Sequence, residues 1–102
     1  MALLHTVNKS PFERNSLETC LRIAVTGSSV LLIEDGVYGA MKGTKLNGAL
    51  GDAGNRLKFY VLGPDLKARG LSEADVLEGI EVVDYEGFVD LVTGHDATHA
   101  CL

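Results

Sequence analysis

The segment that most constrains this chain is Val30, Leu31, Leu32, Ile33, which runs straight into Glu34, Asp35 and Gly36. An amphipathic helix interrupts its apolar residues every few positions, and a strand with one wet face alternates. A short run that is apolar at every position suits a strand buried on both faces, as in a parallel sheet flanked by helices. The two carboxylates and the glycine mark the strand's carboxyl end and a turn. In open parallel α/β sheets that edge is where ligands and chemistry gather. The rest of the chain should therefore read as strand–helix repeats around this one.

Positions 2–7 read as a first strand, with Leu3, Leu4 and Val7 apolar around His5 and Thr6. Two helix starts then compete. Ser10 fits an N-cap, with Pro11 in the first turn and Glu13 closing a capping box, while Asn15 or Ser16 offers a later start. The helix body is plainer: Leu17, Cys20, Leu21 and Ala24 fall at i, i+3, i+4 and i+7, one apolar stripe with Glu18 and Arg22 turned away. After the central strand comes a short helix over 36–41. Gly43, Gly48, Gly51 and Gly54 disfavour helix over 42–55, so this stretch reads as an excursion with one helical turn at 45–50. A third strand spans 57–62. Gly63-Pro64-Asp65 starts a short helix over 65–69, closed by Gly70, and a turn over 72–77 follows. The fourth strand spans 80–83, and Asp84 caps a last helix with Phe88, Leu91 and Val92 as its apolar face. Beyond Gly94, positions 95–102 form either an edge strand or a loosely held tail. This alternation implies right-handed crossovers and helices on both faces of the sheet. The expected fold is a small flavodoxin-like α/β sandwich of three layers in a single domain over 1–102. Its sheet is mostly parallel, with four to five strands.

Composition narrows the function classes. With 46% hydrophobic residues the chain is too apolar for disorder, and 102 residues build one modest core. A net charge of −5 argues against gripping a phosphate backbone, so no direct nucleic-acid binding is expected. No apolar run approaches the roughly 20 residues of a membrane span, and the first residues lack the pattern of a secretory signal. Cys20 and Cys101 are too few for a disulfide framework and lack paired metal-ligand spacing. A reducing, cytoplasmic location is the expectation.

Few residues carry chemistry on their own. The glycine clusters match neither the dinucleotide fingerprint nor a phosphate-binding loop. Glu34 and Asp35 lack an accompanying nucleophile and read better as a hydrogen-bonding or contact pair than as an acid–base pair. His95, His99 and Cys101 have metal-ligand types at close spacing, but tail residues of this kind are ordinarily exposed or part of an edge strand, and no metal is expected. Cys20 stands on the apolar stripe, where a thiol packs as a small hydrophobe. Reactivity would need a lowered pKa, which neither the helix dipole nor Arg22 supplies at that position.

Several blocks, taken together and in order, resemble the DsrH/TusB family within the DsrE-like sulfur-relay proteins. They are Leu4-His5-Thr6-Val7-Asn8-Lys9-Ser10-Pro11-Phe12, Cys20-Leu21-Arg22, Leu31 through Tyr38, and Val82 through Leu91. The resemblance spans essentially the whole chain. It implies a cytoplasmic heterohexamer with DsrE- and DsrF-type subunits, and a sulfurtransferase or sulfur-carrier role exercised only within that complex. Two branches differ in role. TusB-type proteins serve a relay of persulfide sulfur toward 2-thiouridine in tRNA. DsrH-type proteins serve sulfur oxidation and exchange sulfur with a DsrC-type acceptor. A cysteine at the place of Cys20 is typical of the DsrH branch, which makes Cys20 the candidate persulfide carrier. No cofactor is implied. Two departures stand out: the turn Leu62-Gly63-Pro64-Asp65 has no thiol where the DsrE-type subunit carries one, and the chain ends Ala100-Cys101-Leu102 where many relatives have a tryptophan.

Overall fold

The computed structural model describes residues 2–101. Its strands are β1 (Leu3–Val7), β2 (Ser29–Leu32), β3 (Lys58–Leu62), β4 (Ile80–Val83) and β5 (Ala97–Cys101). They form one sheet in the order β4-β3-β2-β1-β5, and every neighbouring pair is parallel. The helices are α1 (Ser16–Ile23), α2 (Asn47–Ala53), α3 (Gly63–Ala68) and α4 (Tyr85–Gly94). Shorter 3₁₀ segments occupy Glu34–Ala40 and Glu73–Asp75. None of these helices is long and apolar enough to cross a membrane among the described residues.

The strand order dictates the layers. From β1 to β4 each crossover steps the same way along the sheet, so right-handed connections put α1, α2 and α3 on one face. The last crossover runs back across the sheet from β4 to β5, which puts α4 on the other face. Side chains alternate accordingly. Val7, Val30, Leu32, Phe59, Val61 and Ile80 meet Leu17, Cys20, Leu21, Leu50 and Leu66 in the main core. Leu4 and Leu31, outside that cluster and also fully buried, point to the α4 face. β2 is buried at all four positions, Ser29 to Leu32, so the strand starts one residue before the apolar run, and Ile33 lies just beyond it, half-buried.

Tertiary contacts move several expected boundaries. Of the two helix starts, the later one holds: α1 begins at Ser16, and Ser10 instead closes a tight turn, its Oγ accepting from the Phe12 N–H at 3.2 Å. Two glycines do not prevent α2, a longer helix than the single turn expected. Leu50 and Ala53 anchor it in the core, and the Asn47 side chain bonds Gly43 N at 2.8 Å and Met41 O at 3.0 Å. Of the positions after 94, Ala97–Cys101 form the edge strand β5 beside β1 rather than a loose tail, and Leu102 lies outside the described residues. On α4 no residue is buried; Val92, expected on the apolar face, is 40% exposed, and Val89 is 60% exposed.

Candidate functional site

The carboxyl edge of β2 is tied down. Glu34 has φ of 48°, and its N–H donates to Asp65 Oδ2 at 2.6 Å. Arg69 Nε donates to Asp35 Oδ1 at 2.9 Å. Gly36 packs so closely on β1 that a Cβ there would overlap the Val7 carbonyl oxygen. These contacts lock the turn to α3 and leave the acidic pair a structural fastening. The turn after β3, at the start of α3, likewise contributes Asp65 to this fastening and presents no thiol.

The chemistry gathers instead at the β1–β5 edge, under α1. Cys20 is fully buried and joined in a disulfide to Cys101, the two Cα atoms 6.0 Å apart. The apolar stripe of α1 aims Cys20 at the sheet. The alternation of β5 turns His99 and Cys101 to the same face, and the register pairs His5 with His99 across the two strands. His5 Nδ1 and His99 Nδ1 lie 3.2 Å apart, one donating to the other according to tautomer. Each of these nitrogens is 3.9 Å from Cys101 Sγ. The donor atoms of His5, Cys20 and Cys101 all lie within 4.8 Å of one another.

His5 is only 4% exposed, and its Nε2 has no hydrogen-bond partner among the described residues. Burial, and then the neighbouring His99, hold its pKa below the usual imidazole value of 6.5, so the ring is neutral at neutral pH. His95 is separate from the group: its Nδ1–H donates to the Leu91 carbonyl at 2.6 Å, and Nε2 accepts from Ser29 Oγ at 2.9 Å.

Of the tail residues His95, His99 and Cys101, the fold thus keeps the last two together and replaces the first with His5 and Cys20. The pairing of Cys20 with Cys101 was not expected from two cysteines 81 positions apart. His5 was missed altogether as a site residue. Its only signal was a polar, titratable side chain in the middle of a strand that turns out to be interior.

Known proteins match the chain over most of its length. Residues 9–98 match the family described as DsrH like protein. A protein of Erwinia tasmaniensis named Protein TusB is 42% identical over 89 residues, covering 87% of this chain and 90% of that protein. Another Protein TusB, of Pectobacterium parmentieri, is 36% identical over 98 residues, covering 91% and 94%. The crystal structure of the ychN protein from E. coli superposes with a TM-score of 0.84 over 98% of both chains at 18% identity, a likeness of fold.

Proposed function

The chain belongs to the DsrH family of sulfur-relay proteins, and from that premise we propose that it is a TusB-type subunit of a relay passing persulfide sulfur toward 2-thiouridine in tRNA. In this reading it completes the complex with TusC- and TusD-type partners and does not itself carry the sulfur. The observation that carries it is the state of Cys20, whose sulfur is fully buried and already bonded to Cys101. A relay thiol must be reached by the donor and by the acceptor in turn, because exchange proceeds by in-line attack of a thiolate on sulfur. The turn after β3 offers no substitute thiol. The naming of the relatives supports the TusB branch over the DsrH branch.

The outer surface supports a role in assembly. Tyr85 and Val89 are each about three-fifths exposed on α4, and Phe12, Ile23 and Val25 are exposed elsewhere. Large apolar side chains clustered on one helix face are a feature of contact surfaces. Coexpression with the partner subunits tests the reading directly. Under reducing conditions Cys20→Ser is expected to assemble and support sulfur transfer within twofold of the unaltered chain. A hexamer that forms normally but loses most of its transfer would overturn it.

That opposite result would favour the second reading, in which Cys20 carries a persulfide within a DsrEFH-type complex and passes it to a DsrC-type acceptor. The presence of Cys20 on the first helix, inside the matched residues, is what favours it. It requires that β5 release Cys101 so that a donor can reach Cys20. Mass spectrometry of the reduced complex after exposure to a persulfide donor would then find one added sulfur atom on Cys20, and finding none while the partner is loaded excludes this role.

A further inference from the structure

The β1–β5 edge brings together four donors that no sulfur-relay reading uses as a set. They are two thiols and two imidazoles from three elements: His5, Cys20 and Cys101 hold their donor atoms within 4.8 Å of one another, and His99 joins them beside His5 and Cys101. We propose that the dithiol form of the Cys20–Cys101 pair binds one zinc ion together with His5 and His99.

The spacing fits that ion. Tetrahedral zinc with Zn–N of about 2.0–2.1 Å and Zn–S of about 2.3 Å sets its nitrogens about 3.3 Å apart and each nitrogen about 3.5 Å from each sulfur. The two Nδ1 atoms are already 3.2 Å apart, and each stands 3.9 Å from Cys101 Sγ. The imidazole rings meet edge to face with centroids 5.4 Å apart, against about 5.2 Å for two rings on one tetrahedral centre. The sulfurs must part to about 3.8 Å, which side-chain rotation allows with the backbones 6.0 Å apart.

Burial makes the same case. As mere packing, His5 is a poor choice between Leu3 and Val7, since its buried Nδ1 faces only a second imidazole and a sulfur. Such a buried polar ring calls for a reason. Two thiolates and Zn²⁺ sum to zero charge, so with two neutral imidazoles the centre suits the apolar surroundings of Leu17, Leu21 and Val7. His99 is exposed on the edge strand and gives the ion a way in. The sequence reading expected no metal because the tail holding His95, His99 and Cys101 showed no anchoring structure and no fourth ligand; the fold anchors it as β5, commits His95 elsewhere and adds His5 and Cys20.

The chemistry balances in two steps. A dithiol reductant attacks the Cys20–Cys101 bond by exchange, leaving two protein thiols and itself as a cyclic disulfide. Zinc then displaces two thiol protons to solvent and forms two Zn–S and two Zn–N bonds. The inference does not rest on the relay reading.

The test uses the full chain, reduced with a phosphine, freed of reductant without oxygen, and shown by thiol titration to hold two free thiols. Cobalt(II) serves as the probe. One cobalt per chain is expected, with the visible bands of a tetrahedral site and a thiolate charge-transfer band, and zinc should displace it. Cys101→Ser should abolish the charge-transfer spectrum or weaken binding at least a hundredfold. His99→Ala, at an exposed position that should not disturb folding, should weaken binding at least tenfold and alter the visible bands. Absence of a tetrahedral spectrum in the reduced chain overturns the proposal. So does cobalt binding left unchanged by His99→Ala in a variant whose circular dichroism shows it folded.

Discussion

Gly36 sits where the chain leaving β2 passes the end of β1, and any Cβ there would overlap the Val7 carbonyl oxygen. Both clashing partners are backbone, so no rotamer change relieves the overlap. Gly36→Ala should cost about 3 kcal/mol or prevent folding, measured by urea denaturation, whereas alanine at the open Gly48 on α2 should cost little or stabilise. Tyr60 gives a second residue-level expectation. Burial, and then Glu81, raise its phenol above the usual value of 10.0. The folded chain holds this proton while the unfolded chain loses it, so stability falls as pH rises through about 10 and on toward the raised value. Tyr60→Phe should flatten that alkaline loss in melting-temperature scans. Absorbance titration should show one of the three tyrosines ionising late, and the late step should vanish in the variant.

At the scale of elements, α1 is held at its carboxyl end by a residue far along the chain. The Arg56 guanidinium donates to the Ala24 carbonyl at 2.6 Å and also to the Leu21 carbonyl. These oxygens lack partners within the helix, and a cation there also complements the helix dipole. Arg56→Ala should cost about 2 kcal/mol in denaturant unfolding, and lysine, a single point donor, should recover only part of it. Such long-range ties separate what was legible in the sequence from what was not. β2 could be read directly, since burial on both faces leaves an unbroken apolar run, and α1 showed its stripe. α2 was not legible in full because its glycines argue locally against helix, while Asn47, Leu50 and Ala53 favour it only through contacts elsewhere. The paired thiols stayed hidden for a related reason. Cys20 and Cys101 meet only because β5 lies beside β1, and strand order is written in no local pattern.

Across the whole molecule the two faces of the sheet are unequal. Three helices cover one face and α4 alone crosses the other, leaving Tyr85, Val89 and Val92 in solvent. Val89→Asp on that helix should leave the melting temperature of the isolated chain within about 2 °C, because the side chain is 60% exposed, and should abolish copurification with relay partners. Unimpaired copurification would assign assembly to another surface.

The order β4-β3-β2-β1-β5 also has a consequence in time. The strand that covers the outer edge of β1 is the last of the five to be synthesised. At 5–20 residues per second, the 81 positions separating Cys20 from Cys101 take about 4–16 s to translate. Throughout that interval the nascent chain holds His5 and Cys20 with no β5 beside them. Any small oxidant, metal ion or sulfur donor that reaches Cys20 on the ribosome therefore meets a site that the finished fold encloses.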